Sequence, residues 1–383
     1  MKKQIRQYLV CLLLMAATIA GILSLSWEED NDYRLVNTEN LTYVRAKVLS
    51  IESENLTADS LEPDKLVGTQ EITVRILSGD LAGEEVSLTN YMTRSLNVHT
   101  SAGMTIMICV DAPDNAENYY TVYSYWRTPG LILILAFFAA IVIAVGRAKG
   151  VWSLLGLAYT VFVVLFFAVQ AIFHGVSPML AVVSTVGVCS LFSLWLLSGI
   201  TRKTAAALLG TILGVGIAGV IFQIFSMILH ITGYNLDSAE SLLLIGQTTG
   251  LQLKPLLLAA VLITALGAVM DVTMSISSSL DEICRLDPSL PAGQLFRSGM
   301  NIGKDMVGTM TNTLIMAYTG GALTTMLLLI GYGYGASQLL NSDYLAMEVA
   351  QGIASTAGVV LTVPVTAFLS SRIYTYRKRI QKI

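Results

Sequence analysis

Asp271 sits inside a long apolar run, LLLAAVLITALGAVMDVTMSISSSLDEI (256–283), whose spacing is helical throughout. Ser275 and Ser278 follow it at i+4 and i+7, and Gly267 and Thr264 precede it by one and two turns, so all five share a face. Counted from Leu256 at ~1.5 Å per residue, the carboxyl lies about 22 Å along the helix, within a ~30 Å hydrocarbon layer. A carboxylate at that depth costs on the order of 3 kcal/mol, so it must face protein or water. Two chemistries fit. One is a protonatable relay or ion-binding carboxylate with Ser275, Ser278, Asn312 and Thr313 as supporting polar lining. The other is a neutral acid hydrogen-bonded as a clamp between two helices.

The proposed partners come from TMTNTLIMAYTGGALTT (309–325), where Thr309, Asn312, Thr313, Met316 and Gly320 recur at three- and four-residue spacing. A third run, QGIASTAGVVLTVPVTAFL (351–369), repeats the theme with Gly352, Ser355, Thr356, Gly358 and Thr362, then Pro364 as an expected kink. Small residues let membrane helices approach closely, so Gly267, Gly320, Gly352 and Gly358 are expected at helix contacts. The Ser277–Ser279 run is expected to be contact surface as well.

The elements that must hold these residues are membrane helices. The chain has 383 residues, 54% hydrophobic and 13% charged, with a mean hydropathy of +0.66. Soluble domains carry roughly a quarter charged residues, so a polytopic membrane protein is expected, with the bilayer as its first partner. Four scattered cysteines and three separated histidines form no metal-ligand pattern, so no metal or other cofactor is expected. There is no basic stripe for nucleic acid, no phosphate-cradling loop, and no paired acids, Ser/His pair or H-E-x-x-H within the spans. An enzyme is not expected.

Residues 1–27 read as an uncleaved transmembrane anchor, with Lys2, Lys3 and Arg6 before the apolar run Tyr8 to Ser26. Residues 28–127 change abruptly to short alternating runs, TYVRAKVLSI, QEITVRIL, EEVSLT, TIMICVD and YYTVYSYW, separated by turn material. They predict a small antiparallel β-barrel, OB-like or SH3-like. Seven further spans follow in 128–372: 130–146, 151–173, 178–199, 204–230, 255–281, 309–331 and 350–371. Residues 284–308 are too polar to span and predict an amphipathic surface helix; 373–383 read as a basic tail. Lys2, Arg147, Arg202, Arg285, Lys304 and Arg377 fall on one side of an eight-span chain. The opposite loops carry Asp237, Glu240 and Asp343 and no basic residue before Lys254. By the positive-inside rule both termini are cytoplasmic and 28–127 is extracytoplasmic.

Two blocks, GAVMDVTMSISSSLDEI (267–283) and SGMNIGKDMVGTMTNTLIMAYTGGAL (298–323), resemble signature segments of the YibE/F-like family of bacterial membrane proteins. GRAKGVWSLLGL (146–157) fits the same pattern, and the outer β-domain suits the longer, YibE-like members. That resemblance covers roughly 130–371 and implies a fold and a cytoplasmic-membrane location more than an activity. A second resemblance is to half-molecules of the resistance-nodulation-division superfamily, including SecD and SecF. Gly267 with Asp271, then 284–308, Asn312/Thr313 and Gly352 to Thr366 fall in the order of that superfamily's proton-carrying, amphipathic, Thr-rich and small-residue segments. The chain departs from it by an extra pair of spans (178–230) and by the lack of an intramembrane Lys or Arg counter-charge. What these resemblances imply is a permease-like transporter half-subunit, proton-coupled through Asp271. It would pair with itself or with a shorter YibE/F-like paralogue. The alternative is a membrane scaffold or secretion-accessory subunit whose outer barrel docks a partner.

Overall fold

Alternation of apolar and polar residues builds the β-rich part. A computed structural model describes residues 2–24, 35–36, 38, 40–113, 116–234 and 239–380; WEEDND (27–32), Asp237 and Lys382 lie outside them. The strands are β1 (Leu41–Ala58), β2 (Leu66–Ile76), β3 (Glu85–Met92), β4 (Thr105–Asp111) and β5 (Tyr119–Tyr125), each on an expected run. They form one antiparallel sheet in the order β3-β2-β1-β4-β5. Val44, Ala46 and Val48 of β1, with Ile72 and Val74 of β2 and Ile106 and Ile108 of β4, turn one face inward. Two bulges between Val48 and Ser53 bend β1. β3 and β5 approach each other across the open side, but no ladder joins them among the described residues, so the sheet is a half-barrel rather than the closed barrel expected.

Polar groups fix the rim. Arg94 donates through Nε to Asp59 at 2.6 Å, and the Leu61 amide donates to the other Asp59 oxygen at 2.7 Å. Both bonds favour the ionised carboxylate and hold its pKa below the usual range, the Arg94 bond being the larger cause.

Two compact units divide the chain, Val36–Ile141 and the pair Met1–Leu35 with Val142–Ile383. The helices are α1 (Lys2–Ser24), α2 (Thr128–Val163), α3 (Val169–Phe173), α4 (Pro178–Ser198), α5 (Arg202–Ile228), α6 (Ala239–Thr249), α7 (Leu253–Leu286), α8 (Ala292–Gly331), α9 (Ala336–Leu340) and α10 (Asp343–Ile380). A π turn, Val164–Ala168, joins α2 to α3. Seven helical stretches among the described residues are long and apolar enough to cross a membrane, one fewer than the eight expected. The difference lies in Thr128–Phe173, one 46-residue stretch covering the expected spans 130–146 and 151–173. It is interrupted at Arg147, where φ is 49° and ψ −131°. A Cβ at Gly150 would collide with the Val142 carbonyl oxygen, an approach that a straight helix with ~1.5 Å rise cannot make across eight residues. The stretch therefore turns back sharply at Arg147.

Two other expectations change. Residues 292–308 are not a separate surface helix but the first part of α8, with Leu295, Gly299 and Gly303 buried against the bundle. The region read as a basic tail from 373 continues α10, and Tyr374 is buried in the core. Pro364 lies inside this helix. The anchor α1 is built into the helical unit. Thr18 Oγ1 lies 2.8 Å from the Tyr159 hydroxyl, and Tyr8 stacks on Trp152 at 4.6 Å.

The bundle centres on α5 and α10, which run antiparallel with small residues facing each other every four positions. A Cβ on Gly210 would come within 2.5 Å of Thr366 Oγ1, one on Gly214 would collide with Thr362 Oγ1, and one on Gly358 would lie 2.5 Å from Ala218 Cβ. α7 leans on the same seam through Val269 and Thr273. α8 runs antiparallel to α10, with Gly299 against Ala367 and Gly303 against Val363.

Gly214→Leu should therefore cost at least about 2–3 kcal/mol by overpacking, read as a lower unfolding temperature in detergent. Gly216→Ala on the same helix should be nearly neutral, since nothing lies within 4 Å of its Cβ position. For Asp59 the sign follows from its lowered pKa: the Arg94 clamp stabilises the β-unit above the ordinary carboxylate range and is lost as pH falls through the folded-state pKa. Asp59→Asn should make hydrogen exchange in β2 and β3 faster at pH 7, with the gap to wild type closing in acid.

Candidate functional site

α7 is amphipathic in an inverted sense: its apolar side faces protein and its polar side faces outward. Val269, Val272, Ile276 and Leu280 are completely buried against α4, α5 and α10. Rotating by 100° per residue places Thr264, Gly267, Asp271 and Ser275 on the opposite side, and all four are exposed on the chain's surface. Ser278 is half-buried at the edge of this stripe. The Asp271 carboxylate takes no hydrogen bond and no ion pair from any described residue. A clamp between two helices of the same chain is therefore not what Asp271 makes.

The partner stripe on α8 behaves in the same way. Asn312, Thr313, Met316 and Gly320 are all exposed, and Thr313 Oγ1 donates back to the Thr309 carbonyl at 2.9 Å. No hydrogen bond joins Asp271 to Ser275, Ser278, Asn312 or Thr313. The candidate residues thus lie on two outward faces rather than around an internal cavity. The glycines divide accordingly. A Cβ on Gly352 would lie 3.3 Å from the Tyr318 ring and one on Gly358 would crowd Ala218, whereas Gly267 and Gly320 have nothing within 4 Å of their Cβ positions. The latter two are not contacts within the chain.

What the chain does build inside is a set of hydroxyl bridges between helices. Thr211 and Thr273 join α5 to α7 at 2.9 Å, Ser277 and Ser370 join α7 to α10 at 3.1 Å, and the Tyr374 hydroxyl donates to the Ser277 carbonyl at 2.8 Å. Tyr318 and Ser355 join α8 to α10 at 3.0 Å. Ser277 is contact surface, as its run suggested. Thr211, Ser370 and Tyr374 carried no separate signal; the clue available was the Gly210-x3-Gly214-x3-Ala218 spacing beside them. Near the C-terminal end of α7, Arg285 pairs with Asp281 at 2.8 Å one turn apart.

A family model described as YibE/F-like protein matches residues 134–376, which contain the break at Arg147, the α5–α10 seam and both polar stripes. Comparison with curated proteins and with solved structures gave no match.

The hydroxyl bridges make a direct test of packing. Thr211→Val should lose about 1 kcal/mol of stability, because it leaves the Thr273 hydroxyl without its cross-helix partner. Thr366→Val should be neutral or stabilising, because the buried Thr366 Oγ1 already has no hydrogen-bond partner. Thermal unfolding of both variants in one detergent gives the comparison.

Proposed function

Because the chain belongs to the YibE/F-like family, and the matched region is a bundle of long apolar helices, we propose that it is a permease-like transporter half-subunit of the bacterial cytoplasmic membrane. The observation that carries this reading is the outward, unpartnered Asp271. Inside a bilayer a carboxylate that its own chain leaves open needs a second protein surface or a water path. The exposed α8 stripe through Asn312 and Gly320 offers the complementary surface: small residues for approach, and an amide and hydroxyls to meet the acid. A homodimer, or a pair with a shorter YibE/F-like paralogue, would join these faces. Asp271 would then be the coupling acid and Asn312 and Thr313 would line its partner helix.

The topology proposed with this function has eight crossings, the Arg147 break providing one turn between two of them. Both termini are then cytoplasmic, and the half-barrel is extracytoplasmic. Exposed Tyr43 and Tyr123, packed edge to face at 4.7 Å on the outer face of the half-barrel, favour a second reading in which this domain docks a partner and the membrane part is its scaffold.

Carbodiimide labelling of the protein in lipid, mapped by mass spectrometry from pH 5 to 9, separates the two. The reagent attacks protonated carboxyls in apolar surroundings. Labelling at Asp271 is expected to fall as pH rises and to vanish in Asp271→Asn. Labelling that stays constant would mean a permanently neutral acid and no coupling role. An Asp271 that never labels would leave the scaffold reading ahead.

A further inference from the structure

A groove of about 980 Å³ opens between α4, α5 and the first turns of α7, on a different face from the Asp271 stripe. Its volume is that of a small-molecule site. The lining is asymmetric along its length. Ser177 just before α4, Gln223 near the end of α5, and Gln252 and Lys254 at the start of α7 supply the polar side chains at one end. The remaining length is aliphatic, from Leu258 and Val220 to Val186, Val215 and Ile212. From Gln223 to Ile212 the α5 wall runs about 16 Å at ~1.5 Å per residue. Gly187 and Gly216 line it with nothing within 4 Å of their Cβ positions, so the width of the groove depends on the missing side chains.

Lys254 makes no ion pair among the described residues. It is also the one charged residue of the lining among the described residues, so the polar end of the groove carries a lone positive charge. A compact ammonium on a long apolar stem suits a phosphate or carboxylate at the membrane–water boundary. We propose that this groove binds an amphiphile with an anionic head and an acyl chain: the chain lies along α5 over Gly216 and Gly187, and the head sits at Lys254. Charge complementarity at one end and an aliphatic channel behind it select that class over a polar solute or a zwitterionic lipid. Such a ligand has two sources, an anionic phospholipid of the bilayer or a free long-chain acyl anion.

The test uses the full chain in nanodiscs of mixed phosphatidylglycerol and phosphatidylcholine, transferred to detergent and read by native mass spectrometry. Wild type should retain phosphatidylglycerol over phosphatidylcholine by roughly tenfold, the order expected of one charge-assisted contact. Lys254→Gln should keep a bound lipid but lose that preference. Gly216→Leu and, independently, Gly187→Leu should lose the bound lipid while unfolding at the wild-type temperature. Displacement of bound phosphatidylglycerol by added oleate identifies a free acyl anion as an acceptable ligand; retention against oleate identifies the two-chain phospholipid. Equal retention of both lipids by wild type, or a preference unchanged in Lys254→Gln, overturns the proposal. So does lipid retained by both leucine variants, or a cross-link placing a protein helix in the groove.

Discussion

The close approach of α5 and α10 is the constraint on which the helical unit depends. Residues 210, 214 and 218 of one helix meet 366, 362 and 358 of the other, and at each level one side is Gly or Ala and the other is Thr or Gly. In lipid, hydrophobicity does not drive helices together, because the tails are as apolar as any leucine; dispersion contact and hydrogen bonds must do so. Backbones brought this near gain contact along their whole length. Several of the hydroxyls that fill the seam return to their own helix: Thr362 donates to the Gly358 carbonyl and Thr211 to the Ala207 carbonyl. The seam is thereby both close and largely free of stranded polar atoms, with Thr366 the exception.

From that seam the rest of the bundle takes its orientation. α7 reaches the glycines of α5 through Leu262, Val269 and Thr273, so the side carrying Asp271 is turned away. α8 reaches α10 through Gly299, Gly303 and Tyr318, and Asn312 and Gly320 are turned away too. The outward placement of the acid is therefore a result of how tightly the other side is packed. Moving Asp271 inward would require rotating α7 and displacing Val269, Val272 and Ile276, each completely buried.

Much of this was readable in the residues. The five strands fall on the five alternating runs, because a half-buried sheet imposes a period of two that the sequence displays directly. The apolar helices were equally plain, since length and hydropathy alone mark them. The facing of small residues was not. Gly267 and Gly320 look in sequence like Gly352 and Gly358, yet only the latter two have a neighbour. A glycine shows that an approach is permitted, and only the partner's position shows that it occurs. Residues 292–308 misled for another reason: their polarity matched a surface helix, but Leu295, Gly299 and Gly303 form a one-sided contact that prolongs α8. At Arg147 the sequence offered two spans, and the stretch turns back there through a single residue of unusual backbone, which a measure of length and hydropathy alone passes over.

In the half-barrel, Glu54, Gln70 and Asn90 stand side by side across β1, β2 and β3. Gln70 and Asn90 are buried, and Gln70 is engaged at both ends of its amide: the nitrogen donates to Glu54 and to the Thr100 carbonyl, and the oxygen accepts from Asn90 and from Thr100. Sliding β2 by one residue would turn Gln70 to the opposite face, put Thr69 or Glu71 in its place, and leave the buried Asn90 amide with the Val98 carbonyl but without Gln70. Aliphatic side chains alone would tolerate such a slip far better, since one valine replaces another at little cost. This row of amides therefore works as a proofreading mark for strand alignment, and it gives a sheet with an unclosed edge one correct pairing to fold into.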